Sequence, residues 1–323
     1  MSRLFDALQR SESEGLGSEA PTFTVATDLL DAAERKVRRP EAEPQPAPRP
    51  ATPPPSAAQP SAPSHGLEGS GEVMGAAQAV SQETFDQCPV LPVSLPKENR
   101  LVALASEGSL GAEKFRFLAV RLRQIRQTRP LKKILITSTI PQEGKSTVSA
   151  NLSCTLARRR QSKTLLMDGD LRRPTASAQF GFRGLTGLCE WLSGETANLP
   201  LYRLENLGLW LLPAGAAPEN PLELMQAGKL SPLIDRLAAW FDWIVIDSPP
   251  ILPLADTSIW ARLADGILLV TRRGTTEKKQ LQRGLQAIEK SKLLGALVNS
   301  SENAAHVDYY QRYSAAALQQ HKK

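Results

Sequence analysis

The sequence predicts an α/β domain with a doubly wound, mainly parallel sheet, preceded by a long disordered N-terminal extension. Three observations carry this expectation. From about residue 98 onward, six short apolar runs alternate with longer segments of helical period. The runs are continuous rather than alternating in polarity, as strands buried on both faces are. Upstream, residues 40–63 hold ten prolines in 24 positions. Such a stretch cannot bury enough apolar surface to offset the entropy of ordering.

Residues 1–10 place Leu4, Phe5 and Leu8 on one helical face, which reads either as a frayed terminal helix or as a docking peptide. The proline-rich stretch, and the low-complexity sequence that continues to about residue 96, read as a linker. A helix is expected over residues 113–126, with Phe115, Leu118, Leu122 and Ile125 at helical spacing. The strands expected after it are Ile134-Leu135-Ile136, Thr164-Leu165-Leu166-Met167, Leu209-Trp210-Leu211-Leu212, Trp243-Ile244-Val245-Ile246, Gly266-Ile267-Leu268-Leu269-Val270 and Ala296-Leu297-Val298. The chain therefore divides into an extension (1–97), an α/β domain (98–305) and a flexible tail (306–323).

Composition narrows the chemistry. A net charge of +6 with a pI near 9.3 favours acidic partners, without choosing among nucleotides, nucleic acid and an anionic membrane. Cys88, Cys154 and Cys189 form no CxxC pair and suit reduced thiols. His65, His306 and His321 all fall outside residues 98–305, which argues against a zinc site or a histidine-based triad in the domain. The first ten residues carry charges where a signal peptide needs an apolar run, and no uncharged apolar stretch reaches the ~18 residues that span a bilayer. A cytoplasmic protein is expected, and any role at the inner face of the plasma membrane would have to be borrowed from a partner.

Three runs end in polar sequences that belong together chemically. The first leads into Thr137-Ser138-Thr139-Ile140-Pro141-Gln142-Glu143-Gly144-Lys145-Ser146-Thr147 and then a helix-like stretch. A loop between strand and helix that closes in Gly-Lys-Ser-Thr directs backbone N–H groups at phosphate, helped by the helix dipole. Pro141, Gln142, Glu143, Gly144, Lys145, Ser146 and Thr147 are thus candidates to cradle ATP, with Lys145 reaching the β- and γ-phosphates and the Ser146 hydroxyl ligating Mg²⁺. Thr139 stands where the motif usually has its first glycine. The second run ends in Asp168-Gly169-Asp170-Leu171-Arg172, two carboxylates that could hold Mg²⁺ or accept a hydroxyl proton. The third ends in Asp247-Ser248-Pro249-Pro250, a Walker B pattern whose carboxylate binds Mg²⁺ directly or through water.

These motifs resemble those of the bacterial tyrosine kinases (BY-kinases) of the CpsD/CapB type, associated with exopolysaccharide production. Pro141 precedes Lys145 by four residues, as in their Walker A. Asp168, Asp170 and Arg172 match the Asp-x-Asp-x-Arg of their Walker A′, and Asp247-Ser248-Pro249-Pro250 matches their Walker B. Pro213-Ala214-Gly215 and Pro218-Glu219-Asn220-Pro221 match a further shared segment, and the resemblance spans about residues 98–313. It implies a P-loop NTPase fold of deviant-Walker type and an autokinase that uses ATP and Mg²⁺. Lys145 would stabilise the transferred phosphoryl group, and Ser146, Asp168 and Asp247 would surround Mg²⁺. Asp168 or Asp170 would accept the tyrosine proton, and Arg172 would join the catalytic set. Asn299 is a candidate for the adenine edge or an ordinary strand-end residue.

The four tyrosines are Tyr202, Tyr309, Tyr310 and Tyr313, so three of them fall in the last fifteen residues. In the resembled family such clusters are phosphorylated in trans within an oligomer, making Tyr309, Tyr310 and Tyr313 the candidate acceptors; rings packed on the domain surface are the alternative. The resemblance also implies a membrane polysaccharide co-polymerase as activator. Ring-forming members share Glu-x-x-Arg-x-x-Arg on a helix. Here Glu113 and Arg116 match, but Ala119 replaces the second arginine and removes a bidentate partner for a carboxylate. Two other functions compete: a positioning or partitioning ATPase, and a nucleotide-sensing scaffold with negligible catalysis. The first shares a second lysine five residues before the P-loop lysine, where this chain has Ile140. Arg158-Arg159-Arg160 could meet DNA phosphates nonspecifically or form a solvated helix face, so no specific nucleic acid is expected.

Overall fold

Among the described residues the central feature is a sheet of eight strands, most of them apolar through their middle. The computed structural model describes residues 88–95, 100–105, 108–158, 162–252 and 255–299. The strands are β1 (Val90–Leu91), β2 (Lys133–Ser138), β3 (Thr164–Asp168), β4 (Tyr202–Leu204), β5 (Leu209–Leu212), β6 (Trp243–Asp247), β7 (Gly266–Arg272) and β8 (Leu293–Asn299). Their spatial order is β1-β4-β5-β3-β6-β2-β7-β8. Every pairing is parallel except β4 with β5. The helices are α1 (Val102–Ala105), α2 (Leu110–Thr128), α3 (Lys145–Ala157), α4 (Leu188–Ser193), α5 (Pro221–Gln226), α6 (Leu230–Trp240), α7 (Asp256–Leu263) and α8 (Lys278–Ala287), with a 3₁₀ turn at Ser177–Phe180.

Alternate residues of each strand feed two cores, one per face of the sheet. Leu135, Leu165, Met167, Ile244, Ile246, Ile267 and Leu269 point to one face and pack with α4 to α8. Ile134, Ile136, Leu166, Val245, Leu268 and Val270 point to the other and pack with α1 to α3. This two-sided burial makes the strands continuous apolar runs in the sequence, and the doubly wound, mainly parallel architecture follows from it.

The winding also creates the crevice. β2 and β6 are neighbours, with Ile136 opposite Asp247. β2 continues into α3 on one face, and β6 leads to α7 on the other. The loops after these strands therefore part at their carboxyl ends, where open α/β sheets bind ligands.

The sheet starts upstream of the boundary expected at residue 98. β1 pairs with β4 in the register Val90 to Arg203, and Val93 and Leu95 pack on the core beside α1 to α3. A two-residue strand between prolines leaves almost no periodic signal. β4 was equally invisible, being three residues joined to β5 through a tight turn at Asn206 and Gly208, both with positive φ. The expected helix at 113–126 extends over residues 110–128, its amino end capped by Ser109, whose Oγ accepts from Ala112 N at 3.2 Å. Ala119 is fully buried on that helix, so position 119 faces the core and not a neighbouring molecule. Among the described residues no helix is long and apolar enough to cross a membrane. The N-terminal peptide 1–10, the proline-rich stretch, Arg159, Arg160, the three histidines and the tail with Tyr309, Tyr310 and Tyr313 lie outside the described residues.

Candidate active site

The loop between β2 and α3 is fixed from its own backbone outward. Gln142 (φ +66°) and Gly144 (φ +91°) both adopt left-handed conformations, which turn successive N–H groups inward. A Cβ on Gly144 would sit 2.1 Å from Asn299 Nδ2, so only glycine fits there. No side chain caps the first turn of α3, which leaves its N–H groups available to an anion. Glu143 is completely buried and holds the loop to β7. Its carboxylate accepts from Ile140 N at 2.9 Å, from Arg272 N at 3.3 Å and from the Thr276 hydroxyl. Asn299, at the end of β8, donates to the carbonyl of Glu143 at 3.0 Å.

Beside this loop stand the acidic groups. Asp168 and Asp247 end adjacent parallel strands and lie opposite each other in the β3–β6 register. Both are fully buried, and Asp170 is 8% exposed. Both oxygens of Asp168 are occupied, Oδ1 by Asp170 N at 3.3 Å and Oδ2 by Ala176 N at 2.9 Å. Asp247 Oδ1 accepts from Ser149 Oγ at 3.0 Å, whereas its Oδ2 is buried with no hydrogen-bond partner. Asp170 Oδ1 accepts from Arg173 N at 3.1 Å. Ser146 Oγ accepts from Thr175 Oγ1 at 2.6 Å, which ties the loop after Asp170 to the start of α3.

The electrostatics follow from burial. Desolvation, reinforced by the facing Asp247 charge, holds the Asp168 carboxyl well above the usual carboxylate range. Desolvation raises Asp247 to about 6, with Lys145 and the nearby serine hydroxyls pulling the other way. Asp170 is raised as well, mainly by desolvation, against the backbone bond from Arg173 and the Lys145 charge. Two buried carboxylates in register, one with an orphaned oxygen and with Asp170 beside them, hold more negative charge than Lys145 alone offsets. That donor chemistry fits Mg²⁺, which is held by one or two carboxylates together with substrate phosphates. Among the described residues no group of three or more His, Cys, Asp or Glu is placed to hold a metal alone, so the phosphates and Ser146 would complete the shell.

Known proteins are similar to this chain in sequence and in fold. Tyrosine-protein kinase YwqD of Bacillus subtilis (strain 168) is 34% identical over 215 residues, which is 66% of this chain and 90% of that protein. The chain belongs to the bacterial tyrosine kinases of the CpsD/CapB family. Putative tyrosine-protein kinase CapB of Staphylococcus aureus is 32% identical over 207 residues, covering 62% of this chain and 90% of that one. Among solved structures, the chimerical protein CapA2B2 matches this bacterial tyrosine kinase with a TM-score of 0.59 at 29% identity, over 67% of this chain and 96% of that chain. The kinase domain of Escherichia coli tyrosine kinase ETK shares the fold, with a TM-score of 0.58 at 24% identity over 67% and 91% of the two chains. No family model matches the chain.

In this bacterial tyrosine kinase the fold brings Lys145, Ser146, Asp168, Asp170 and Asp247 to the carboxyl ends of β2, β3 and β6. Pro141, Gln142, Glu143, Gly144 and Thr147 form the intervening loop and the first turn of α3. Arg172, expected among the catalytic groups, is drawn elsewhere. Its guanidinium forms a bidentate pair with Asp256, Nε to Oδ2 at 2.6 Å and Nη2 to Oδ1 at 3.1 Å. Asp256 is 1% exposed, and a carboxylate so buried needs a counter-charge. Asn299 reaches the P-loop backbone, a contact that strand-end position alone did not suggest. Pro213-Ala214-Gly215 follows β5, where Leu188 N and Cys189 N donate to Pro213 O and Ala214 O, both at 2.8 Å. Sequence reading missed the anchoring roles of Glu143, Thr175 and Asp256. The available signal was an acidic residue inside the loop and an aspartate nine positions beyond Asp247, and each reads locally as a turn or a cap.

Proposed function

We propose that this chain is an ATP-dependent protein-tyrosine autokinase that transfers the γ-phosphoryl group of ATP to Tyr309, Tyr310 and Tyr313 of another copy. The observation that carries the reading is the orphaned Oδ2 of Asp247, buried opposite Asp168 beside the lysine-bearing loop. A structural domain has no reason to keep a pair of facing carboxylates desolvated with one oxygen left unbonded. Its cost is offset when a cation and a triphosphate enter.

Bound Mg²⁺ supplies charge neutralisation on the phosphate oxygens, and Ser146, Asp168 and Asp247 are the groups that would hold it. Backbone N–H groups of the loop and the first turn of α3 orient the phosphates. Lys145 stabilises charge that develops on the γ-phosphoryl oxygens. The bond between the γ-phosphorus and the bridging oxygen breaks as the tyrosine oxygen bonds to that phosphorus, and ADP leaves with the bridging oxygen. The phenolic proton passes to a carboxylate. Asp170 suits this better than Asp168, because both Asp168 oxygens already accept backbone N–H groups, while Asp170 uses one oxygen and reaches solvent. Its raised pKa favours proton acceptance.

Kinases of capsule and exopolysaccharide systems are the setting we propose, with a membrane polysaccharide co-polymerase as activator and recruiter to the inner face of the plasma membrane. The residue pattern disfavours a partitioning ATPase, since Ile140 stands where that group has its second lysine. The test is an antiphosphotyrosine blot after incubation with Mg-ATP and an activator. Lys145→Ala is expected to lower the signal by at least ~100-fold with the fold intact. Undiminished labelling would refute the site, and an unlabelled wild type would favour a catalytically silent nucleotide sensor.

A further inference from the structure

The loop that follows Asp168 at the end of β3 carries Asp170, and beyond Gly169 no ladder holds it. Buried like charges repel, so the segment from Gly169 to Arg172 would relax away from Asp247 unless other bonds restrain it. Besides the bond from Gly169 N to Asp247 O and those within the loop, such bonds come from α7, through residues that belong to none of the nucleotide motifs. Asp256, its first residue, takes the bidentate pair from Arg172. Trp260, one turn later on the same face, is fully buried and donates from Nε1 to Gly169 O at 2.9 Å. Between them, Thr257 donates from Oγ1 to Pro249 O at 2.9 Å and to Pro250 O at 3.3 Å, on the loop that follows Asp247.

Gly169 shows how tight the fit is. Its N–H donates to Asp247 O at 2.7 Å while its carbonyl accepts from Trp260, so the peptide is clasped between β6 and α7. A Cβ at this position would lie 2.8 Å from Trp260 Cε2 and 2.9 Å from the Asp247 carbonyl. One short helix segment thus grips the segments that follow Asp168 and Asp247, the first at two points and the second at a third.

We infer that Asp256, Thr257 and Trp260 form a latch of positioning residues that fixes the acidic loop against Asp247 and thereby sets the Mg²⁺ affinity of the nucleotide complex. The inference rests on the Mg-ATP reading above. None of the three is catalytic: each acts through the segments that follow Asp168 and Asp247, the first of which bears Asp170. Loosening the latch leaves the P-loop and its phosphate contacts in place, so it affects the metal-dependent part of nucleotide binding and spares the metal-free part.

The experiment follows binding of a fluorescent ADP to the purified full-length protein, titrated with Mg²⁺ and repeated in EDTA. Trp260→Phe keeps most of the ring volume and loses the bond to Gly169. Asp256→Asn keeps the volume and loses the charge. In each variant the Mg²⁺ concentration giving half-maximal effect is expected to rise ~10-fold, as for loss of a group that orients metal ligands, while ADP affinity in EDTA stays within about twofold. Should Trp260→Phe fail to fold, Asp256→Asn alone decides. An unchanged Mg²⁺ requirement in a folded variant, or equal losses with and without Mg²⁺, overturns the latch. A wild-type protein whose ADP binding ignores Mg²⁺ overturns the underlying metal site together with it.

Discussion

Asp247 concentrates the conflict between stability and function in one side chain. Burial raises its carboxyl to about 6, above the ~3.9 of an unfolded aspartate. Between those values the metal-free fold holds a proton that the unfolded chain has released, so stability falls as pH rises through that window. Above it the whole penalty is present, on the order of 2–3 kcal/mol. Asp247→Asn removes the charge and keeps an acceptor for Ser149. Thermal denaturation of the metal-free protein should therefore show a gain of a few degrees near pH 7.5 that shrinks toward pH 4.5, together with loss of tyrosine phosphorylation. A variant destabilised at the higher pH would show that the carboxylate contributes to the metal-free fold. Mg²⁺ binding must release the same protons, so the Mg²⁺ dependence of ADP binding is expected to weaken below about pH 6. The residues of the nucleotide motifs could be found in the sequence because their spacing is local. Asp256 and Trp260 could not, because what gives them their role is contact with Arg172 and Gly169 across the fold, 84 and 91 positions away.

At the level of elements, the P-loop is held by its neighbours more than by its own glycines. Thr139 takes the place of the first glycine, and the work of shaping the loop passes to Glu143, anchored on β7 and the turn after it, and to Asn299 on β8. Glu143→Gln preserves shape but replaces one accepting oxygen with an amide donor that must face an N–H or a hydroxyl. It should lower stability by about 1–3 kcal/mol and weaken ADP binding with and without Mg²⁺ alike. That distinguishes it from the α7 variants, whose effect needs the metal; calorimetric melting and ADP titration check both parts. All six strands expected from apolar runs are present, since two-sided burial prints itself as continuous hydrophobic sequence. β1 and β4 were illegible for the converse reason. They are two and three residues long, at the sheet margin, and defined by pairing partners instead of composition.

For the whole molecule, the proposed autokinase would place one nucleotide site on the domain and take Tyr309, Tyr310 and Tyr313 as its acceptors. If acceptor tyrosines enter a neighbouring copy, donor and acceptor functions can reside on different molecules. The buried Ala119 on α2 removes the second arginine of the ring-forming pattern, so association through that helix is expected to be weaker than in members that carry both. Sedimentation of the full-length protein should then show mainly monomer at micromolar concentration, and a stable ring would contradict this. Transfer between copies would be correspondingly concentration-dependent, with the specific rate of labelling rising as protein is added.

The most direct measurement mixes two silent partners and reads each by mass spectrometry. One is Lys145→Ala, which keeps the tyrosines and lacks the site; the other replaces Tyr309, Tyr310 and Tyr313 by Phe and keeps the site. With Mg-ATP and activator, the account predicts phosphate on Tyr309, Tyr310 and Tyr313 of the Lys145→Ala copy in the mixture and none on that copy alone. Phosphotyrosine on Lys145→Ala by itself, or an unmodified mixture under conditions where the wild type labels itself, would contradict it.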